Sequence, residues 1–496
     1  MKLNAFAMGL AAALAAGGCA VGPDFHSPEA PTVSNYTETA LPAEIAGEAA
    51  NGGTAQRFVA GQDIPAQWWT LFHSPALDQL IRQALAHSPT LAAAQATLRQ
   101  AEENMRAQSG ALLYPSVDAK LGASRQRTSA AGLGVPNAIP NTFDLYNASV
   151  SVSYTINLSG GFLRALEGLQ AQVDYQKYQI EAAYLALTAN IVTTAVKEAS
   201  LRAQLAATRE ILAIQEQQLE VVEKQLSIGG VSRADVLLQR SQVAQTRASL
   251  PPLEKNLAQT RNLLAVYAGK LPGEGGLPEF ELASLNLPQD LPLSLPSEFA
   301  RQRPDIRASE ELLHQASALV GVATANLYPS LTLSAGYGQQ ANKMADLFST
   351  PGTIWNIGGS LLQPLFHGGQ LNAQRRAAIA AYDAAAAQYR GTVLQAFQNV
   401  ADTLLALETD ARAHRAQADA ESLAHDTLEL TQKQFELGAT GYLALLAAQR
   451  QYQQARIGAI QAGAARYADT AALFQALGGG WWNRPALAQS AAAGAD

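Results

Sequence analysis

Apolar residues recur every seven positions along two stretches in the first half of the chain. The first stretch runs from Phe162 to Ile228 and carries Leu205, Leu212, Leu219 and Leu226. After Gly229-Gly230, a return stretch carries Val236, Val243, Leu250, Leu257 and Leu264. Seven-residue spacing over this length predicts long helices with a supercoiled seam between them. At ~1.5 Å per residue the first helix would be on the order of 100 Å long, and Pro251-Pro252 should bend or break the second.

Two stretches before the long helix alternate apolar and polar residues, the pattern of half-exposed strands. The first carries Val117, Ala119, Leu121 and Ala123, and the second, from Tyr146 to Leu158, has serine, threonine or asparagine at every other position. Between them, Arg125 to Asn141 is rich in Gly, Pro, Ser and Asn and is predicted to be a loop. An apolar and a polar face over about 10 residues suit a transmembrane barrel strand, but a soluble sandwich strand would look similar.

The same order of elements returns in the second half of the chain. A helix from about Ser297 ends at Tyr328-Pro329, as an earlier helix ends at Tyr114-Pro115. Two strands follow, the second from Ile354 to Phe366, and Gly368-Gly369 then opens a long helix. This helix carries two seven-residue series, which are Leu423, Leu430 and Leu437, and Leu428 with Phe435.

The register between the halves is constant. Lys224, Leu226, Gly229 and Gly269 are followed 209 positions later by Lys433, Phe435, Gly438 and Gly478. A constant offset over this length predicts an internal tandem repeat that covers most of the chain.

The first residues predict export and a covalent lipid anchor. Lys2 and an apolar run from Ala5 to Ala16 form a signal peptide too short to span a membrane as a helix. Small residues precede Cys19, the only cysteine of the chain, as in a bacterial lipobox, although Ala16 stands where a larger aliphatic residue is usual. The alternative is a plain signal peptide with an incidental cysteine. No run of 18 apolar residues follows Cys19, so a closed β-barrel is the spanning structure that remains.

These patterns divide the chain into six predicted segments. They are a signal peptide (1–18), a lipid-anchored extended segment (19–67), a first repeat of helix, two strands and two long helices (68–270), an equatorial connector (271–296), a second repeat (297–478) and a C-terminal tail (479–496). Four strands per chain cannot close a barrel alone, and open edges are not tolerated in lipid. The helical seams also need neighbours on both sides, so we expect a closed ring of protomers.

Composition argues against several classes of function. A net charge of -7 and a pI of about 5.6 do not favour nucleic acid as a partner. The seven histidines are scattered without metal-ligand spacing. No Gly-rich phosphate loop or serine nucleophile motif is present. We therefore expect no enzyme activity, and no cofactor apart from the covalent lipid on Cys19.

Four groups of residues, spread over the chain, carry a family resemblance. They are Cys19 to Phe25, Trp68-Trp69 with Phe72, Arg303-Pro304-Asp305-Ile306 with Tyr328-Pro329-Ser330, and Pro364-Leu365-Phe366 with Gly368-Gly369. In this order and spacing the chain resembles an outer membrane factor of the TolC/OprM type, in the lipoprotein (NodT-like) branch. The resemblance implies an α+β membrane protein and a homotrimer. Its twelve-stranded β-barrel, with four strands per chain, would continue through a mixed equatorial region into a long periplasmic α-helical barrel.

The resemblance also implies a function and its partners. The chain would be the outer-membrane channel of a tripartite efflux system. It would pass small molecules from an inner-membrane RND-type pump and a periplasmic adaptor protein, and its barrel would contact outer-membrane lipid. Two alternatives stay open: a protein-export duct of a type I secretion system, and a non-channel coiled-coil surface lipoprotein.

Finally, the resemblance indicates where the functional residues lie, at the two turns between long helices. It places Leu443 on an apolar constriction ring and Ala447 where family members usually carry an aspartate. Asp235 in the first turn either faces the lumen or caps the returning helix. The expected adaptor contacts are Gly229, Gly230, Arg233, Gly438, Thr440 and Tyr442.

Overall fold

A computed structural model describes residues 20–33, 35–39, 42, 44–45, 55–128 and 141–484. The predicted signal peptide, Cys19 and residues 485–496 of the predicted tail lie outside the described residues. Within the described part the chain forms two compact units. The first takes the described parts of Met1–Pro28, Thr97–Lys177 and Ala308–Arg390, and the second those of Glu29–Ala96, Tyr178–Arg307 and Gly391–Asp496.

The secondary structure of the described residues is mainly helical. The strands are β1 (Glu44–Ile45), β2 (Gln56–Ala60), β3 (Ser116–Thr128), β4 (Asn141–Asn157), β5 (Asp290–Leu293), β6 (Ser330–Ala341) and β7 (Thr353–Leu362). The α-helices are α1 (Pro75–His87), α2 (Pro89–Leu113), α3 (Gly161–Ser227), α4 (Arg233–Tyr267), α5 (Pro296–Gln302), α6 (Pro304–Ala325), α7 (Gln370–Glu436) and α8 (Tyr442–Ala476). No helix among them combines the length and apolarity that crossing a membrane would need.

The first unit is built on an antiparallel sheet in the order β3-β4-β6-β7. Its register brings the apolar positions of neighbouring strands to one face, where Val152 pairs with Val117 and with Ala335. The polar positions share the other face, where Ser151 pairs with Asp118. The alternation found in the sequence is therefore confirmed as one apolar and one polar face.

Two predicted strand boundaries are wrong. β3 continues to Thr128, with Arg125 opposite Asp144 in β4, although Arg125 was predicted to begin a loop. β7 ends at Leu362, short of Phe366. Cross-strand pairing, which composition does not encode, extends the first strand and limits the second.

The long helices match the predicted lengths and turns. α3 and α7 each have 67 residues, and α4 and α8 each have 35. α7 and α8 begin 209 positions after their first-half counterparts, α3 and α4. The predicted break at Pro251-Pro252 is wrong, because α4 runs through both prolines. Burial of Val243 before them and Leu264 after them holds the helix and outweighs the unfavourable contribution of proline.

The helix predicted from Ser297 is instead two helices, α5 and α6. Between them Arg303 is extended, with φ -83° and ψ 127°, as expected for a residue before proline. Its guanidinium donates to the carbonyl of Ala476 at the end of α8, at 2.8 Å.

The second unit contains a small sheet that the sequence pattern did not predict. β2 pairs with β1 in antiparallel and with β5 in parallel orientation, so the extended N-terminal segment and the connector contribute strands. The buried core of this unit includes Trp68 and Phe72 from a 3-10 helix and Phe474 from α8. Trp68 stacks on Phe474 at 5.2 Å between ring centroids.

Candidate functional site

The two turns between long helices have the same backbone structure. In the first, the amide of Gly229 donates to the carbonyl of Leu226 and the amide of Gly230 to that of Gln225. In the second, Gly438 and Ala439 donate in the same way to residues at the end of α7, Phe435 and Gln434. This pair of bonds is a Schellman motif, which needs a left-handed residue; φ is 80° at Gly229 and 71° at Gly438.

The return helices begin differently. α4 begins with a capping box, in which the Ser232 hydroxyl accepts from the amide of Asp235 and the Asp235 carboxylate accepts from the amide of Ser232. Of the two roles predicted for Asp235, the structure therefore contains the helix cap. The residue at the same position before α8 is Gly441, which has no side chain to cap the helix.

An apolar cluster, here called the turn cluster, joins the four helices beneath the turns. Its buried members are Val222, Val236, Tyr442, Leu445 and Leu446. Half-buried residues pack around it, namely Leu219, Leu226, Val231, Leu238, Leu428 and Phe435. Several of these are the residues of the seven-residue series, so the predicted seam is confirmed within one chain.

A polar layer lies next to the turn cluster. The Tyr442 hydroxyl of α8 donates to Oε1 of Gln239 in α4, and Nε2 of Gln239 donates to the Gln215 carbonyl of α3 at 2.7 Å. Arg450 donates from Nε to Oε1 of Gln242 at 2.6 Å and forms a second link between α8 and α4. Burial, and then the negative charge of Asp235, raise the pKa of Tyr442, so its hydroxyl stays a neutral donor.

The turns also present apolar side chains to solvent. Leu443 is 68% exposed, and Ala447, one helical turn later, is exposed on the same side of α8. Ile228 and Leu437 stand immediately before the two left-handed glycines and are 83% and 85% exposed. These side chains are free to meet another copy or another protein.

The predicted contact residues are not all available at this surface. Gly229, Gly230, Arg233 and Gly438 are exposed and Thr440 is half-buried. The prediction of Tyr442 as an adaptor contact is corrected, because its side chain is only 5% exposed. This side chain packs in the interior of the turns. The buried glutamines of the polar layer were missed; Gln239 and Gln242 interrupt the buried stripe of Val236 and Val243, which was the signal in the sequence.

Among the described residues, no group of three or more His, Cys, Asp or Glu side chains is arranged to hold a metal ion. The arrangement at the turns is one of packing, hydrogen bonds between helices and exposed apolar side chains. The packing and the hydrogen bonds can hold the helices together or let them separate, and the exposed side chains can contact a partner.

Comparison with known proteins adds the family context. A family model described as "Outer membrane efflux protein" matches residues 80–270 and 295–479. The pyoverdine export outer membrane protein OpmQ of Pseudomonas aeruginosa is 34% identical over 423 residues, which cover 84% of this chain and 87% of the relative. The probable efflux pump outer membrane protein TtgC of Pseudomonas putida is 29% identical over 491 residues, 96% of each chain.

A solved structure of the outer-membrane channel OprN is similar to this chain over most of its length. The TM-score is 0.83 with 25% sequence identity, over 93% of this chain and 100% of that one. The long helices and the four-stranded sheet therefore follow a known channel fold.

Proposed function

We propose that this chain, which belongs to the outer membrane efflux protein family, is the channel of a tripartite system and works as a homotrimer. The family match covers both halves of the chain and identifies it as an efflux protein of the outer membrane. The partners we propose are an inner-membrane RND-type pump and a periplasmic adaptor. Small molecules are the proposed cargo, in keeping with the relative named for pyoverdine export.

The proposal of a trimer rests on the two open edges of the four-stranded sheet. In the order β3-β4-β6-β7, the two outer strands each have one neighbour among the described residues of the chain. Side chains along β7 are exposed, including Trp355 at 73% and Ile357 at 80%. In lipid every backbone N–H and C=O must be paired, so β7 of one copy would pair with β3 of the next. Three copies then make a closed barrel of about twelve strands, a size at which a sheet encloses a lumen.

An exposed leucine series on α7 supports the same assembly. Leu423 and Leu430 are seven residues apart on this helix and are 67% and 58% exposed in the single chain. The other series of this helix, Leu428 and Phe435, packs into the turn cluster. A second apolar seam at heptad spacing needs a second helical neighbour, which an adjacent copy would supply.

The turns are the proposed end of the channel at which the adaptor binds and the lumen narrows. Exposed Ile228 and Leu437 offer equivalent apolar contacts on the two turns. Leu443 would form the apolar constriction with its copies, and a ring of apolar side chains resists wetting without a charged gate. Ala447 stands where family members usually carry an aspartate, so the ring that it would form with its copies has no carboxylates. The carboxylate of Asp235 is engaged in capping α4, and this role limits the negative charge that it would offer to the lumen.

Covalent lipid on Cys19 completes the proposal. The small residues before Cys19 and the absence of any other cysteine support it. The non-channel surface lipoprotein, an alternative from the sequence, is not supported by the match to an efflux family over both halves.

Native mass spectrometry of the full chain in mild detergent, joined to planar-bilayer recording, tests the assembly. We expect three copies per particle and a conducting pore. A folded monomer that conducts would contradict the proposal, because one chain with two open sheet edges could not close a pore. A trimer that never conducts would contradict the channel function and leave the assembly standing.

A further inference from the structure

The polar face of the four-stranded sheet carries two charged side chains along its described strands, Asp118 and Lys120 of β3. The other residues of this face are serine, threonine, asparagine, glutamine, glycine and a few apolar residues. The charged residues of the opposite face, Arg125, Arg127 and Asp144, lie near the other end of the strands. One carboxylate and one ammonium group therefore stand among neutral side chains on the polar face.

Both charged side chains are free among the described residues. Asp118 and Lys120 are exposed, and neither has an ion-pair or hydrogen-bond partner for its side chain in the described part of the chain. The residues opposite them on β4 are Ser151 and Ser149, which carry no charge. Because one position separates them on an extended strand, their Cα atoms are about 6.8 Å apart. Each can offset the field of the other without forming a contact.

The neighbouring strand of an adjacent copy would leave both charges unpaired. In the proposed trimer, β7 of one copy lies beside β3 of the next, and β7 runs through Thr353–Leu362 without a charged residue. The carboxylate and the ammonium group would then be repeated three times around the barrel. An unpaired charge in the middle of a membrane strand is far less costly in water than in lipid, so the polar face is the one that lines the lumen.

These charges lie at the end of the sheet that follows a helix. β3 begins at Ser116, shortly after α2 ends at Leu113, so Asp118 and Lys120 belong to its first turns of pleat. Twelve strands about 4.8 Å apart and tilted by about 40° enclose a backbone cylinder with a radius of about 12 Å. A lysine side chain reaches inward across roughly half of this radius. Its ammonium group would then lie within about one Debye length, about 8 Å at physiological ionic strength, of the channel axis.

We propose that Asp118 and Lys120 form a charge-compensated collar at the start of the strand lumen, which lets cations and anions pass with similar ease. This proposal rests on the proposed trimeric channel. The ring of carboxylates and the ring of ammonium groups are closer together than the Debye length, so their fields largely cancel for a solute that passes both. Lys120 is thus the residue that admits solutes bearing carboxylates, and Asp118 the one that admits amines.

Removing one member of the pair should expose the field of the other. A ring of three unit charges at about 8 Å in water changes the local concentration of a monovalent ion roughly threefold at physiological ionic strength. Lys120→Met keeps an unbranched side chain and leaves three carboxylates, so the pore should favour cations. Asp118→Asn leaves three ammonium groups, so the pore should favour anions. The double variant has neither ring and should select as the wild type does.

Reversal potentials of the full chain in planar bilayers under a salt gradient test the collar. We expect the cation-to-anion permeability ratio to rise about threefold or more in Lys120→Met and to fall by a similar factor in Asp118→Asn. Arg127→Met is the matched control, since it removes one positive charge from the same strand on the opposite face. In about 1 M salt, where the Debye length is about 3 Å, the variants should converge, which a change of pore shape would not produce.

Thiol reagents of opposite charge measure the local field independently of the narrow end of the channel. Ser149→Cys places a thiol across from Lys120 on the polar face, and Val150→Cys places one on the apolar face as the control. When Lys120→Met is added to Ser149→Cys, we expect a negatively charged methanethiosulfonate to lose about threefold in rate relative to a positively charged one. The ratio of the two rates cancels any effect of Lys120 on the thiol itself. The ratio in Val150→Cys should not change.

Three results would overturn the collar. They are rate ratios in Ser149→Cys that are equal with and without Lys120→Met, permeability ratios unchanged in both single variants, and a shift in the same direction in both. A wild-type trimer that does not conduct would instead contradict the channel function, and the thiol rates would then decide about the collar alone.

Discussion

Replacing Tyr442 with phenylalanine tests the polar layer beneath the turns most directly. The Tyr442 hydroxyl donates to Gln239, and both side chains are buried, Gln239 completely. Phenylalanine fills the same space but leaves the glutamine oxygen in the interior without this donor. An unpaired buried acceptor costs about 1–3 kcal/mol, so separation of α8 from α4 should become about 5- to 150-fold more frequent.

Hydrogen–deuterium exchange of the full chain in detergent measures this opening. Amides of α4 and α8 near the turns should exchange faster in Tyr442→Phe, and those of the four-stranded sheet should not change. Tyr452→Phe is the matched control, because the Tyr452 hydroxyl accepts from Arg456 within the same helix, α8. If α8 borders the proposed constriction, the conductance of Tyr442→Phe should rise as well.

A double variant separates the lost hydrogen bond from any change in packing. Adding Gln239→Met to Tyr442→Phe removes the unpaired oxygen, and replacing both partners with apolar groups of similar shape is close to neutral. Gln239→Met also removes the bond to the Gln215 carbonyl, but that carbonyl lies inside α3 and keeps its partner within the helix. The double variant should therefore open less often than Tyr442→Phe alone. Wild-type exchange in Tyr442→Phe would refute the reasoning, and so would a double variant that opens more often than the single one.

Three further predictions concern the turns and the helix pair behind them. Leu443→Ala should raise single-channel conductance, and Ala447→Asp should raise cation preference by adding carboxylates; no change in either recording would place the constriction elsewhere. Asp235→Ala should lose the capping box at a cost of about 1 kcal/mol, seen as faster exchange in the first turn of α4. Burial, with Asp410 nearby, raises the pKa of Asp469 to about 7. The contribution of Asp469 to the free energy of unfolding is present at acidic pH and should therefore be lost as pH rises from about 4 to 7. Asp469→Asn should flatten this dependence in melting curves, and an unchanged slope would exclude Asp469 as its source.

Local rules determined much of the fold from the sequence. The seven-residue series predicted the long helices, and Gly229-Gly230 and Gly438 predicted their turns. A left-handed residue and a hydrophobic stripe are both properties of a short stretch of chain. Alternation predicted the faces of β4 for the same reason. The constant offset of 209 predicted helices of equal length in both halves, as α3 and α7 show.

Other features were decided by contacts between residues far apart in the chain. Pro251 and Pro252 stay helical because α4 is held by burial on both sides of them. The pairing of β2 with β5 joins segments more than two hundred residues apart, and nothing local marks it.

The site divides in the same way. The sequence placed the turns and their glycines, and Asp235 could be recognised as a possible cap because Ser232 stands three residues before it. The sequence could not show that the Tyr442 hydroxyl donates to Gln239 in the interior, or that the Arg164 guanidinium donates to Asp24. A side chain's solvent exposure and hydrogen-bond partners depend on which helices pack around it, and only the tertiary structure determines that.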